Sequence, residues 1–309
     1  IFVTGQMAGL AFVDVNARAI APIISWQDTR FDSLDQVQRA LSPEQLSCLG
    51  DRLRVGLPLV TLRAMDIPEH NRIVSLISFI AGSLVGAFPL QMHVTDAASL
   101  GLLDVHVGGW SPAALTVARI DPSQLPQPTW HVNSVGVSAR YGAQVLTPVG
   151  DHQAALLGVG LQEGQVSINV ATGCQVSVVS LASASPAQSR PFFAHRFLHT
   201  VTHLPGGRLL GAALREDLNR SPTPADWIRV IDSEAGIFVN VDTALNEIAT
   251  SCVEAAEKIC EPSEVVFSGG VAQRVHRLRR AIYEKLPVSQ STYSGEDASL
   301  AGLMELCSR

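Results

Sequence analysis

Charge is scarce in this chain. Only 16% of its 309 residues are Asp, Glu, Lys or Arg, against about 25% in an ordinary soluble domain, and hydrophobic residues make up 47%. The formal net charge is −6, and the sequence contains no block of Lys or Arg. This composition argues against nucleic acid or an anionic membrane as the main partner and favours a small-molecule role.

Several familiar site motifs are also missing. The five cysteines are scattered without CxxC or zinc-ligand spacing, which is typical of reduced thiols in a cytoplasmic protein. His195, His199 and His203 recur every four residues, but their segment is rich in strand-forming residues, and we expect no metal site there. Neither a Walker motif nor a Rossmann fingerprint occurs.

One long uncharged run, residues 73–92, is long enough to span a bilayer. Three serines, two glycines and Pro89 within it favour a buried helix that ends near Gly86 instead. No signal peptide is visible, and we expect a cytoplasmic location. The chain begins inside the strand-like run "IFVTG", so we expect an N-terminal piece to be missing.

Local patterns predict a mixed α/β chain. Residues 9–26 indicate two strands joined by a hairpin, and residues 32–49 and 58–86 indicate helices. The segment "GQVSINVATGCQVSVVS" has the alternation of a second hairpin, with Thr172-Gly173 at its turn, and strand character continues through "HRFLHTVTHLPGGRLLGAAL". Residues 242–307 alternate helix and strand, which implies a parallel sheet.

Two short segments suggest a site. In "TPVGDHQAALLGVG", residues 147–160, Asp151 stands at the start of a predicted helix, where it either caps the helix or presents a carboxylate to a cleft. Gly269-Gly270 follows a predicted strand and precedes a helix, so a ligand can approach the backbone there, and a nucleotide is a plausible occupant.

Taken in order, five groups of residues resemble the FGGY family of carbohydrate kinases, in the actin/hexokinase/Hsp70-like superfamily. They are "GQMAGL" with "WQDTR", "TDAASLGLLDV", "TPVGDHQAALLGVG", "NVATGCQVS", and "VFSGGVAQR" with "GEDASLAGL". They span nearly the whole chain. "THLPGGR" and "SGGVAQR" look most like the sedoheptulokinase-type branch, with xylulokinases close by.

The resemblance implies an α/β protein with two ribonuclease-H-like domains and an interdomain cleft. Residues 1–158 would form the sugar-binding domain, lacking its first strands, and residues 159–309 the nucleotide-binding domain. The implied reaction is ATP- and Mg²⁺-dependent phosphorylation of a sugar or polyol hydroxyl, with a ketose such as sedoheptulose or xylulose favoured. Asp151 would be the general base, and a homodimer is possible.

The remaining site residues follow from the same resemblance. Gln6, Met7 and Ala8 match the family's Gln-Met-His segment against the sugar, with Ala8 in place of the histidine. Asp96 stands where the family builds the rest of its sugar-domain cleft, and its other interpretation is loop capping and packing. Thr172 and Gly173 match a phosphate-binding hairpin. Gly269, Gly270 and Arg274 match the adenine and ribose side.

One family element is not found. The Asp-x-Gly-Thr-Thr turn, which contacts the metal and the phosphates, has no counterpart here. Either the sequence is incomplete or the gene product is itself shortened. In the second case the protein would be a catalytically impaired relative that binds sugar or nucleotide but transfers phosphate poorly.

Overall fold

The computed structural model describes residues 1–50, 52–68, 71–183, 185–293, 295 and 297–308. Each half of the chain has its own hydrophobic core. One core is built from residues between Leu10 and Leu125, and the other from residues between Val166 and Ile282. A third cluster, from Val149 to Leu303, packs where the two halves meet.

The N-terminal half combines short strands with short helices. Its strands are β1 (Thr4–Gly5), β2 (Leu10–Val13), β3 (Arg72–Ser75), β4 (Gln91–His93), β5 (Leu103–Asp104), β6 (Gly109–Trp110), β7 (Gln127–Thr129), β8 (Ser134–Ser138), β9 (Ala143–Leu146) and β10 (Val149–Gly150). Its helices are α1 (Leu34–Ala40), α2 (Pro43–Cys48), α3 (Pro58–Arg63), α4 (Leu76–Val85), α5 (Val94–Ala97), α6 (Pro112–Ala118) and α7 (Asp151–Gly158). Strand β1 pairs in parallel with β10, and β2 pairs antiparallel with β3.

The uncharged run contains a strand as well as a helix. The expected helix over 58–86 is wrong in one respect, since β3 interrupts it: Ile73 and Val74 are β-branched and pair with β2. Helix α4 follows, capped by the Ser75 hydroxyl and ended by Gly86 at φ 80°, as expected. Among the described residues, no helix combines the length and apolar character needed to cross a membrane.

The first predicted hairpin is only partly formed. Its second arm, around residues 19–24, contacts β2 through two isolated antiparallel bridges, Leu10 with Ile24 and Val13 with Ala19. Proline at position 22 cannot donate a backbone hydrogen bond, which limits ladder formation in this arm. Strand β3 supplies the continuous partner that the sequence pattern did not indicate.

The C-terminal half is organised around a larger sheet. Its strands are β11 (Gln165–Val170), β12 (Cys174–Ser180), β13 (Gln188–Pro191), β14 (Phe197–Leu204), β15 (Glu264–Ser268) and β16 (Ser289–Thr292). Its helices are α8 (Gly207–Leu218), α9 (Pro224–Asp232), α10 (Val239–Ile259), α11 (Gly270–Arg274), α12 (His276–Lys285) and α13 (Ala298–Cys307).

These strands form one sheet in the order β13-β14-β12-β11-β15-β16. Strands β11 and β12 form the predicted antiparallel hairpin, and β11, β15 and β16 run parallel, as the alternating pattern at the end of the chain predicts. The expected strand character beyond Leu204 is wrong, because residues 207–218 form α8, whose buried Leu210, Ala213 and Leu214 recur at helical spacing.

Helix α7 joins the two halves. Its N-terminus follows β10, and its body packs against α13 near the end of the chain. Glycines permit this close packing, since a Cβ on Gly158 would lie 1.9 Å from the carbonyl oxygen of Ala298. The first turn of α7 is thereby fixed between the sheet of the C-terminal half and the strands of the N-terminal half.

Candidate active site

A cavity of about 670 Å³ lies between the two halves. The sheet of the C-terminal half contributes residues from several neighbouring strands to it, namely Arg190, Gln175, Asn169 and Ser268. The other lining residues used below are Met7, Ala8, Trp26, Arg52, Arg54, Asp151, His152, Gly269, Gly270, Tyr293 and Ser299. The structure therefore brings five of the predicted site residues together: Met7, Ala8, Asp151, Gly269 and Gly270.

Asp151 is the first residue of α7. Gly150, rather than Asp151, is the N-cap, and the Asp151 carboxylate accepts a hydrogen bond from the adjacent backbone N–H of His152 at 2.7 Å. Burial raises the pKa of Asp151, while the His152 N–H and the Arg190 charge act against that rise. A carboxylate with a raised pKa is a better proton acceptor than an exposed one, provided that the pH stays above that pKa.

Three arginines face the same cavity from distant parts of the sequence. Arg52 and Arg54 follow α2, and Arg190 lies on β13. The backbone N–H of Ser189 donates to the carbonyl of Gly50 at 3.1 Å, and this bond holds the two segments side by side. Gly50 has φ +78°, and a Cβ there would lie 2.1 Å from the Ser189 oxygen, so the contact requires glycine.

His152 is held neutral beside these arginines. Burial and the charges of Arg190 and Arg52 lower the pKa of His152 to about 3. A guanidinium can only donate, so the contact at 3.3 Å from Arg190 to Nδ1 assigns the ring proton to Nε2, which faces the Ser177 hydroxyl at 3.4 Å. His152 therefore orients Arg190 without adding charge to the cavity.

Only two of the four residues predicted to bind the sugar line the cavity. Met7 and the buried Ala8 line the cavity, and Ala8 has φ +61°, an uncommon conformation for a residue with a side chain. Gln6 is exposed and donates weakly to Ser25, at 3.4 Å. Asp96 is fully buried outside the cavity lining, where its Oδ2 accepts hydrogen bonds of 2.7 Å from Ser75 and Ser78 at the start of α4.

The predicted nucleotide-side residues lie around two adjacent cavities. Gly269 has φ +82°, and a Cβ there would lie 2.6 Å from the carbonyl oxygen of Val170, so this turn also requires glycine. Gly270 lines the first cavity and also a second one of about 440 Å³, which Thr172, Arg274 and Trp227 line as well. Gly173 lies next to Thr172 at the exposed tip of the β11–β12 hairpin.

Sequence patterns did not identify the arginines or His152. The only available signal was their position: Arg52 and Arg54 stand in "GDRLRVG" and Arg190 in "QSRPFF", in a chain that otherwise has few charges. Nothing in these segments indicates that they meet, because their proximity depends on the backbone contact between Gly50 and Ser189.

The described residues do not form a protein-held magnesium site. Mg²⁺ prefers oxygen ligands and commonly binds through one or two carboxylates together with substrate phosphates. Asp151 is the single carboxylate among the described residues that line the cavity. A search of the same described residues finds no group of three His, Cys, Asp or Glu side chains placed to hold a metal ion.

Curated proteins with similar sequences are kinases of sugars and polyols. L-fuculokinase of Salmonella typhi is 26% identical over 181 residues, which cover 52% of this chain and 38% of that protein. Xylulose kinase of Escherichia coli is 24% identical over 214 residues, 64% of this chain and 43% of that protein. The chain thus spans about two fifths of the length of the curated relatives it matches. No protein-family model matches it.

Solved structures show the same fold over nearly the whole chain. Gluconate kinase from Lactobacillus acidophilus superposes with a TM-score of 0.82 at 15% identity, covering 97% of this chain and 73% of that one. Glycerol kinase from Plasmodium falciparum, solved with ADP, gives a TM-score of 0.79 at 14% identity over 97% of this chain and 72% of that one. The α/β fold is therefore that of the two-domain carbohydrate kinases, and together with the sequence relatives it confirms the resemblance of this chain to the FGGY family.

Proposed function

We propose that the chain phosphorylates a hydroxyl of a sugar or polyol with ATP, and that Asp151 is the general base. The observation that carries this proposal is the position of Asp151 in one cavity with Met7 and Ala8 on one side and Gly269-Gly270 on the other. A hydroxyl that attacks a phosphoryl group must lose its proton, and a positioned carboxylate accepts it. The pKa of Asp151, raised by burial, suits this role.

The second cavity suits the base of a nucleotide. Apolar side chains surround it, including Leu210, Val271 and Ile231, and Trp227 adds an aromatic surface. Ligand pockets combine such apolar walls with a few polar groups, which Thr172 and Arg274 provide here. Gly270 connects this cavity to that of Asp151, so a nucleotide placed here would direct its phosphates toward the carboxylate. The ADP named with the Plasmodium glycerol kinase supports ATP as the phosphate donor.

Mg²⁺ is proposed only as a partner of the ATP phosphates. The phosphates would supply most of its ligands, since the described cavity lining offers a single carboxylate.

We retain residues 1–158 and 159–309 as the proposed sugar and nucleotide domains, with a boundary at the end of α7. A ketose such as xylulose fits the names of two of the relatives, xylulose kinase and L-fuculokinase, and it remains one class of the substrates to be tested.

A coupled assay of ADP release tests the proposal. The chain would be incubated with ATP, Mg²⁺ and, in turn, ketoses, polyols and sugar acids. We expect release above the sugar-free rate for at least one of them, and a loss of about 10²- to 10⁴-fold in Asp151→Asn. Asp121→Asn is the matched control, because Asp121 caps a short helical turn outside the cavity lining and should leave turnover unchanged.

A binding protein without turnover is the second candidate. It is favoured by Ala8, which stands where the resemblance places a histidine against the sugar. Thermal unfolding separates the two, since a ligand that binds only the folded state raises the unfolding temperature whether or not chemistry follows. Stabilisation by sugar and by ATP without any ADP release, and with Asp151→Asn behaving like the parent chain, would replace the kinase proposal with this one.

A further inference from the structure

The charge of the large cavity is opposite to that of the chain. The whole sequence carries a formal charge of −6, with 22 Lys and Arg residues spread over 309 positions. Three of these, Arg52, Arg54 and Arg190, nevertheless line one cavity, where Asp151 is the single acid among the described lining residues. A ligand that carries negative charge would meet a local excess of positive charge.

These arginines have few protein partners. None of the ion pairs found among the described residues includes any of the three. Arg52 donates to the carbonyl of Ala98 at 3.2 Å, and Arg190 donates to Gln188 and His152. The Nε atom of Arg190 is buried without a hydrogen-bond partner in the described structure.

The described residues balance these three charges only in part. Burial and the charge of Arg54 lower the pKa of Arg190 to about 10, although the Asp151 carboxylate acts against that fall. Burial and the charges of Arg190 and Arg54 lower the pKa of Arg52 well below its usual range. Charges withdrawn from water in proteins are normally paired, because desolvation without a counter-charge is unfavourable. An anion between the guanidinium groups would restore that pairing.

The arginines lie at the sugar side of the cavity. Arg54 is stacked over the ring of Trp26, with 5.5 Å from its guanidinium carbon to the ring centroid, and Trp26 lines the cavity together with Met7 and Ala8. Arg190 is on β13, at one edge of the sheet, whereas Gly269 follows β15, four strand positions away. At the usual strand spacing, that separation is ~19 Å.

We propose that the Arg52, Arg54 and Arg190 cluster binds the carboxylate of the substrate, and that the substrate is a sugar acid. This inference rests on the proposed function and names its substrate class. Guanidinium groups bind carboxylates through paired N–H donors, and the free Nε of Arg190 offers one of them. With the carboxylate held there, a hydroxyl further along the carbon chain lies toward Asp151 and the nucleotide side.

Matched ligand pairs test this inference directly. Isothermal titration calorimetry, without nucleotide, would compare gluconate with glucitol, galactonate with galactitol and xylonate with xylitol, since the members of each pair differ in the carboxylate. We expect at least one acid to bind 10-fold or more tightly than its neutral partner, and its affinity to fall as salt is raised. Equal affinity within every pair, or no binding of any acid, would overturn the inference.

Substitutions of single arginines test whether the cluster is responsible for the tighter binding of the acid. Arg54→Gln should weaken binding of the acid about 10- to 100-fold and leave the neutral partner unchanged, while Arg54→Lys should recover part of the loss. Arg140→Gln is the control, because Arg140 also stacks on an aromatic ring, that of Tyr141 at 5.3 Å, but on an exposed hairpin. Arg190→Gln gives a second test should Arg54→Gln fold poorly.

Two outcomes separate this inference from the proposed function. Turnover of neutral sugars at the same rate as their acids would leave the kinase proposal in place and overturn the sugar-acid inference. Arginine-dependent binding of an acid, without ADP release on any substrate, would support the sugar-acid inference and overturn the kinase proposal. If the arginine variants lose affinity for ATP but not for the acids, the cluster binds nucleotide phosphates and the inference fails.

Discussion

Gly158 of α7 and Gly302 of α13 lie in backbone contact, and this contact positions the proposed base. A Cβ on Gly302 would be 3.0 Å from the Gly158 nitrogen and only 1.9 Å from the Ala154 carbonyl oxygen. Neither glycine has the positive φ that would itself require glycine, so close approach is what restricts both positions. The same packing brings the Ser299 hydroxyl to 3.4 Å from the carbonyl oxygen of Asp151.

Gly302→Ala should therefore destabilise the chain and weaken ligand binding. The added methyl group collides with backbone, which cannot move aside as a flexible side chain can, and we expect a loss of about 1–3 kcal/mol in the free energy of unfolding. Urea unfolding measures this. Gly211→Ala is the control: it also lies within a helix, but its Cβ would meet only Trp227, at 3.8 Å. It should be neutral or stabilise by up to about 1 kcal/mol. Equal effects of the two substitutions would contradict the close-packing argument.

Gly50→Ala should move Arg52 and Arg54 away from Arg190. Its φ of +78° and the 2.1 Å approach to the Ser189 oxygen both oppose a side chain, so the backbone bond between Gly50 and Ser189 should break. We compare it with Gly142→Ala, where φ is +62° but no atom lies within 4 Å. The control should lose only the ~1–2 kcal/mol of the left-handed conformation. Gly50→Ala should lose more and should also bind gluconate less tightly, whereas unchanged stability relative to the control would count against this account.

The buried carboxyl group of Asp96 should make the free energy of unfolding depend on pH. Burial raises its pKa from 3.8 to about 7, despite the hydrogen bonds from Ser75 and Ser78. The folded state then holds a proton that the unfolded state has released, so this stabilising contribution is complete below about pH 4 and is lost as the pH rises toward 7. Asp96→Asn cannot ionise, and its stability relative to the parent chain should rise by about 1.4 kcal/mol per pH unit across that window. Unfolding in urea at pH 5 and pH 7.5 gives the comparison, and a difference that is independent of pH would refute it.

The acid side of the rate profile should depend on Asp151. Because only the ionised carboxylate accepts a proton, turnover should fall as the pH drops through a pKa that burial has raised above the usual value of 3.8. Arg190 acts against that rise, so Arg190→Gln should move the fall in kcat/KM to higher pH. Arg54 is not among the groups that shift the pKa of Asp151, so Arg54→Gln should move the fall less. An unshifted profile in Arg190→Gln would show that another group controls the rate.

The local signals in the sequence predicted the C-terminal half better than the site. The alternation of 165–180 and the helix-strand pattern of 242–307 depend on neighbouring residues, and the structure forms both as expected. Strand β3 was not predicted, because most of it lies within a uniformly apolar run, where periodicity does not distinguish a helix from a strand. Helix α8 was not predicted, because only two residues separate its start from the end of strand β14 at Leu204 and the glycines at its start are poor helix formers.

Long-range contacts explain what sequence reasoning missed at the site. Asp151 could be singled out from its own segment, because a lone acid at a helix start either caps the helix or faces a cleft, and the resemblance then assigned it the role of base. Arg52 and Arg190 are far apart in sequence, and the backbone bond between Gly50 and Ser189 brings their segments together. The resemblance placed Asp96 in the sugar-domain cleft, but its burial depends on how α4 and α5 pack, which no pattern around residue 96 specifies.

The most direct test of the central claim is to measure binding and phosphoryl transfer together in Asp151→Asn. Calorimetry would follow binding of ATP and of a sugar or sugar acid that the parent chain accepts, and phosphorus NMR would detect the sugar phosphate formed. We predict that the parent chain forms the product and that Asp151→Asn binds both ligands within a few-fold but forms the product at least 100-fold more slowly. Product formation by Asp151→Asn at the parent rate would contradict the assignment of Asp151 as the base.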